Sequence, residues 1–172
     1  QTTMKHLLIS TALALLGSVS VHAQNHTVFL VRHAEKATDQ GDDPALTAEG
    51  QSRALQLAEA LKPANPAAIF ATQFKRTQQT AKPLADKLNL PVNIIETSKE
   101  LASQYPNLLL ERICALPNGA SAVVVGHSNT IPGIVEAWTL APVKPIADNE
   151  HDRLFMVKLD KCQASGSLDL RY

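Results

Sequence analysis

The sequence predicts an α/β fold, a three-layer α/β/α sandwich around a mostly parallel central sheet. Three observations lead there. Apolar, β-branched runs such as Val28-Phe29-Leu30-Val31 and Val123-Val124-Val125 read as strands covered on both faces, the pattern of parallel sheets. Amphipathic helical patterns separate these runs along the chain. Both runs also lead directly to a histidine, His33 after Arg32 and His127 after Gly126. The ends of strands are where open α/β sheets bind ligands.

The elements follow in order. A first strand is expected over residues 27–31, then a polar, turn-rich loop over 39–44. Thr47 is placed to cap a helix whose apolar stripe is Leu55, Ala58 and Leu61, with Pro63 ending it. Residues 67–71 form a second strand. A helix over 75–90 carries Ala81, Leu84, Ala85 and Leu88 on one face, and Pro83 inside it should kink or restart it. Residues 92–95 read as an edge-like strand, and 101–116 as a helix broken at Pro106. A fourth strand over 122–125 leads to a helix over 130–140. Pro132 is tolerated in its first turn, and Trp138 belongs to the core. Alternating residues 154–159 form a fifth strand, and 168–172 a last one.

The chain has 172 residues, enough for one domain with a real core. Lysine plus arginine equals aspartate plus glutamate, so the basic footprint that nucleic-acid binding requires is missing. Met4 reads as the true start, after Gln1-Thr2-Thr3. Lys5 and His6 precede an apolar stretch over 7–16 that is too short to span a bilayer. Val21 and Ala23 then supply the small residues read by a signal peptidase. The expectation is a signal segment over 1–23, cleavage before Gln24 and a folded domain over 24–172. That domain would lie outside the cytoplasm, in a bacterial periplasm, without stable membrane insertion. A non-cleaved anchor or a buried helix are the alternatives. Cys114 and Cys162 either form one bridge, as an oxidising compartment allows, or remain two buried thiols. Neither belongs to a Cys-x-x-Cys pair, so a redox motif or thiolate zinc site is not expected.

Three segments carry chemistry. In Arg32-His33 the adjacent cation disfavours protonation of the imidazole and keeps a nucleophilic nitrogen free. A hydrogen-bonded structural histidine is the plainer reading of the same residue. Glu35 either orients the ring or pairs with Lys36 or Arg53. Arg76 falls in the first turn of its helix, where free N–H groups and the helix dipole favour anions, and its planar fork matches phosphate oxygens. Taken alone, Lys75-Arg76 reads better as a solvated helix start. His127-Ser128-Asn129-Thr130 again joins a strand end to a helix start, where Ser128 or Asn129 either caps the helix, binds an anion, or does both. His26 and His151 receive no role.

Taken together, Leu30-Val31-Arg32-His33-Ala34-Glu35-Lys36, Arg76-Thr77-Gln78-Gln79-Thr80-Ala81 and Val125-Gly126-His127-Ser128-Asn129-Thr130 resemble the histidine phosphatase superfamily, in its phosphoglycerate mutase-like branch. Asp152-Arg153-Leu154-Phe155 looks like a subgroup of small secreted members. The resemblance implies a phosphoglycerate mutase-like fold and a phosphatase acting on a phosphomonoester. His33 would be the nucleophile that becomes phosphohistidine, with Arg32 and Arg76 holding phosphate oxygens. His127 would stabilise the transferring group and Asn129 would add a donor. The expected partner is a small phosphorylated substrate or inorganic phosphate, with no cofactor and no metal. Family members that cleave alkyl phosphates use a carboxylic acid on the leaving oxygen. Glu100 is the candidate, with Glu96 and Asp152 as rivals. The chain departs from the family pattern just after Glu100, where Leu101-Ala102-Ser103-Gln104-Tyr105 replaces a Gly- and Trp-rich context. Without an acid, the substrate should carry a better leaving group, as in a pyrophosphate or phosphoramidate. Two other classes compete: a catalytically weak phosphate-binding envelope protein, and a metal hydrolase using His33, Glu35 and His127.

Overall fold

The computed structural model describes residues 25–172, so the signal segment expected over 1–23 lies outside the described residues. Six strands form one sheet: β1 (Asn25–Arg32), β2 (Ala68–Ala71), β3 (Val92–Ile94), β4 (Ser121–Gly126), β5 (Arg153–Asp160) and β6 (Gln163–Arg171). Their order is β3-β2-β4-β1-β5-β6. The β1–β4, β2–β4 and β2–β3 pairings are parallel, whereas β1–β5 and β5–β6 are antiparallel. The mostly parallel sheet expected from the apolar runs is therefore present, and β3 lies at its edge.

Alternation along each strand divides the core in two. Val28, Leu30, Phe70, Val124, Phe155 and Val157 meet α3 (Tyr105–Cys114) and α4 (Thr130–Thr139) on one face. Val31, Ile69, Ala71, Val123 and Val125 meet α1 (Ala48–Leu61) and α2 (Lys75–Leu88) on the other. This is the α/β/α sandwich. Trp138 is buried in the first cluster, its indole N–H donating to the Pro106 carbonyl at 3.0 Å. Thr47 caps α1 as its position predicts, accepting the Gly50 N–H at 3.1 Å. Gly50 is required there, because a Cβ would stand 2.1 Å from the Glu35 carbonyl oxygen.

Three expectations need correcting. Helix α2 runs through Pro83 without restarting, because Thr77, Thr80, Ala81, Leu84 and Ala85 are buried along its length and outweigh one lost backbone bond. Pro106 does not break a longer helix. It stands in the first turn of α3, where proline's missing N–H costs nothing. The last strand is β6, longer than residues 168–172, and it pairs with β5 through a tight turn. Lys161 and Cys162 at that turn both have positive φ, the geometry of a two-residue hairpin, reached here without Asn or Gly.

Cys162 in this turn is bridged to Cys114 at the end of α3, with Cα atoms 5.9 Å apart. The bridge spans 48 positions of sequence, so it removes a large loop from the unfolded ensemble. Replacing both cysteines with serine should lower the unfolding free energy by about 2–4 kcal/mol in a urea titration, with the far-ultraviolet circular dichroism unchanged. An unshifted midpoint would show that the bridge contributes nothing.

Candidate active site

Parallel pairing of β1, β2 and β4 brings three strand ends to one edge of the sheet. His33 follows β1, Thr72-Gln73-Phe74 follows β2 and His127 follows β4. The β1–β4 register sets Arg32 opposite Gly126, and the His33 backbone N–H donates to the Gly126 carbonyl at 2.9 Å. The two imidazoles therefore lie edge to face with centroids 5.4 Å apart. Helices fix the backbone that follows. Thr80 on α2 accepts the Ala34 N–H at 3.0 Å, and the Thr47 N–H donates to the Glu35 carbonyl at 2.9 Å.

The His33 ring donates Nδ1–H to the Ala34 carbonyl at 2.8 Å, which leaves the lone pair on Nε2. Burial, with His127, Arg32 and Arg76 nearby, pushes its pKa down to about 3 against the opposing effect of the Ala34 bond. Burial and the same two arginines hold His127 at about 4. Both rings are thus neutral at pH 7. Two threonines define the His127 tautomer. The Thr77 hydroxyl donates to the Phe74 carbonyl at 2.8 Å and accepts from Thr72 at 2.9 Å. The Thr72 oxygen then accepts Nε2–H of His127 at 3.0 Å. Among the described residues, Nδ1 of His127 has no partner.

Arg76 stands in the first turn of α2 and lies over the Phe74 ring, with Cζ 4.4 Å from the centroid. Phe74 also packs edge-on against His127 at 5.3 Å. Asp43 accepts the Lys75 N–H at 2.9 Å and approaches Nη1 of Arg76 at 3.7 Å, beyond hydrogen-bond range. Arg32 spends Nη1 on the carbonyls of Ala147, Asp148 and Glu150, at 2.8, 2.9 and 3.1 Å. The remaining donors are the informative ones. Nε of Arg32, and Nε and Nη1 of Arg76, are buried and have no hydrogen-bond partner among the described residues. Burial lowers both guanidinium pKa values, offset by Asp148, Glu35 and Glu150 at Arg32 and by Asp43 at Arg76, yet both side chains stay cationic.

Arg32, His33, Arg76 and His127 line one cavity of about 510 Å³, together with Asn129. Asn129 occupies the N-cap position of α4 but makes no side-chain cap bond. Neither it nor Ser128 caps the helix through its side chain; Thr130 accepts the His127 N–H at 2.9 Å instead. Glu100 is fully exposed and does not line the cavity, although its neighbours Ser98, Lys99 and Ala102 do. The Ser98 hydroxyl holds its carboxyl below the usual range. Glu96 is exposed and also outside the lining, and Asp152 is paired with Arg171 at 2.6 Å. Among the described residues, the acidic residue that does line the cavity is Asp148. Glu35 pairs with Arg53 at 2.6 Å, so the His33–Glu35–His127 metal triad is not assembled.

Four participants escaped the sequence reading. Thr72 and Phe74 were detectable in principle, because a strand ending at Ala71 must end beside the other two. Asp148 arrives on the long connection between α4 and β5. His151 donates Nδ1–H to the His33 carbonyl at 3.0 Å, its ring 6.0 Å from the nucleophile candidate, and no local pattern marks it.

The model of the histidine phosphatase superfamily (branch 1) matches residues 28–104. Over that stretch, which holds Arg32, His33 and Arg76, the chain is similar to this superfamily. Its fold is shared by the mycobacterial glucosyl-3-phosphoglycerate phosphatase (14% identity, 86% of this chain and 98% of that one, TM-score 0.69). The same holds for the protein histidine phosphatase SixA complexed with tungstate (23%, 84% and 96%, 0.64). A third is the phosphoserine phosphatase of Entamoeba histolytica in complex with 3-phosphoglyceric acid (16%, 82% and 98%, 0.61). No curated protein sequence matches significantly.

The protonation states make a measurable prediction. A tetrahedral dianion among Arg32, Arg76 and the two rings favours the charged imidazole and raises the His127 pKa. Binding of tungstate at pH 7.5 should therefore take up about one proton, read by calorimetry in buffers of different ionisation enthalpy. An enthalpy independent of buffer would show that His127 stays neutral.

Proposed function

We propose that this phosphatase works through a phosphohistidine on Nε2 of His33, without a metal ion. The lone pair of Nε2 attacks phosphorus, and the bond to the leaving group breaks with its electron pair. Water then attacks the phosphohistidine from the opposite side, the P–N bond breaks, and phosphate and neutral His33 are regenerated. Phosphoryl transfer asks mainly for positioning and charge neutralisation. Two guanidiniums and the His127 imidazole supply both. The observation that carries this reading is the set of three buried guanidinium nitrogens without a hydrogen-bond partner among the described residues, in two arginines that line the cavity. Burying such donors unpaired is costly, and phosphoryl oxygens are the acceptors that match their geometry.

Phosphomonoesters lie within this chemistry. The position of Glu100 favours a second, narrower reading. Its carboxyl is exposed and readily ionised, which makes it a poor proton donor to a departing alkoxide. Substrates whose leaving groups depart as weak bases, such as aryl esters, anhydrides or phosphoramidates, are then preferred. Asn129 is proposed as an additional donor to the bound oxyanion.

We also propose that the domain works outside the cytoplasm, after cleavage before Gln24. The Cys114–Cys162 bridge supports an oxidising compartment. The exported protein should begin at Gln24 on N-terminal sequencing; a retained segment 1–23 would overturn the proposed cleavage.

His33→Ala should cut kcat/KM on an activated aryl phosphate by at least about 10³-fold, with a chelator leaving the wild type unaffected. Glu100→Gln should stay within about twofold on aryl and alkyl phosphates alike. A selective loss on alkyl esters would restore Glu100 as the acid. Tight phosphate binding with no turnover of any ester, anhydride or phosphoramidate would favour the non-catalytic phosphate-binding protein.

A further inference from the structure

We infer that His151 is a positioning residue for His33: together with Thr80 it clamps the peptide plane that carries the nucleophile's imidazole. The inference rests on the reading of His33 as the nucleophile and adds a residue that aims it.

The peptide unit joining His33 to Ala34 has a carbonyl and an N–H, and each is engaged by a side chain from a different part of the fold. Nδ1–H of His151, on the connection just before β5, donates to the His33 carbonyl at 3.0 Å. Oγ1 of Thr80, on α2, accepts the Ala34 N–H at 3.0 Å. The plane is therefore gripped at both ends, and rotating it would misalign one bond or the other. The remaining polar groups of His33 are engaged too. Its backbone N–H donates to the Gly126 carbonyl at 2.9 Å, and its Nδ1–H donates to the Ala34 carbonyl at 2.8 Å. Nε2, the atom proposed to attack phosphorus, is what these bonds leave free. Attack needs an aligned lone pair, and a misplacement of about 1 Å can cost about 10²-fold in rate.

Both jaws of the clamp are themselves held. Thr80 is buried, and its hydroxyl donates to the Arg76 carbonyl at 2.7 Å. One threonine thus ties the nucleophile's peptide to the backbone of an arginine that lines the cavity. His151 is seated by the residue that follows β6. The Tyr172 hydroxyl donates to the His151 carbonyl at 3.0 Å, and the Tyr172 N–H donates to the Asp152 carbonyl at 3.0 Å. Arg171 pairs with Glu150 and Asp152, on either side of His151. The His151 ring stands 6.0 Å from the His33 ring, tilted by 51°, and lies outside the cavity lining. It acts on the nucleophile through the backbone and not on a ligand.

The test separates the donated bond from bulk and from charge. An asparagine amide nitrogen stands as many bonds from Cα as Nδ1 of histidine and donates without titrating, whereas leucine keeps the volume and donates nothing. The readout is release of 4-nitrophenol from 4-nitrophenyl phosphate in a single turnover, with enzyme in excess. In His151→Leu the rate at saturation should fall about 10- to 100-fold, with the half-saturating concentration within about twofold of the wild type. His151→Asn should recover most of that loss. Tyr172→Phe removes the hydroxyl that seats His151 but keeps the ring, and its rate at saturation should fall about threefold; it decides the question if His151→Leu does not fold. A His151→Leu or, failing that, Tyr172→Phe enzyme as fast as the wild type would overturn the positioning role and leave the phosphatase reading standing. So would a His151→Asn enzyme as slow as His151→Leu, or a loss confined to the half-saturating concentration. A wild type that does not turn over the ester overturns both.

Discussion

The parallel pairing of β1 with β4 is the constraint on which the site depends. Its register sets Arg32 against Gly126, so the next residue on each strand is a histidine and both emerge at the same level. The bond from the His33 N–H to the Gly126 carbonyl continues the ladder one step beyond the strand and ties the two loops together. Gly126 is needed at this point. A Cβ there would stand 2.8 Å from the Ile131 side chain and 2.9 Å from the Thr130 hydroxyl that caps His127. A one-residue slip of either strand would exchange its faces, send Val28 and Leu30 to the wrong core and separate the imidazoles. The hydrophobic alternation that stabilises the sheet thus also specifies how the two histidines meet.

Around this pairing the protein accepts costs that a purely structural core would avoid. Two imidazoles and two guanidiniums are buried together, and burial is the largest cause of the low pKa of each histidine. That penalty has a chemical consequence: it keeps Nε2 of His33 unprotonated at neutral pH, as the proposed attack on phosphorus requires. Phe74 contacts both Arg76 and His127, offering its face to the first and meeting the second in a T-shaped pair.

Local pattern was enough to locate the strand-end histidines and Arg76, since strand runs and helix starts are local properties. The sequence also contained the proline positions but not their outcome. Pro83 is overruled by five buried neighbours along α2, and Pro106 reads differently once the helix is known to begin beside it. The hairpin at Lys161 and Cys162 has no turn signature, because a disulfide partner far away in sequence shares the task of holding it. His151, Asp148 and Lys99 reach the site on connections whose path is set by tertiary contacts. Glu100 shows the converse. It has the expected place in the chain, but Thr97 is clamped to Gln73, and Glu100 lies in solvent while its neighbours Ser98, Lys99 and Ala102 line the cavity.

The two ends of the sheet are stabilised by different means, and the division has a physical logic. Because β5 runs antiparallel to β1, Asn25 pairs with Asp160, so the β5–β6 turn and its disulfide lie at the edge opposite the site. A covalent bond there adds stability without constraining the loops that meet a ligand. At the site edge, two buried arginines do the holding. Arg32 binds the carbonyls of residues 147, 148 and 150, while Arg153 binds those of Lys144 and Pro145 and pairs with Asp169. The connection that brings Asp148 to the cavity is therefore held partly by Arg32, which lines the same cavity. Any anion that draws on the remaining donors of Arg32 also acts on the group that orders this loop. Binding and local order are linked through one guanidinium.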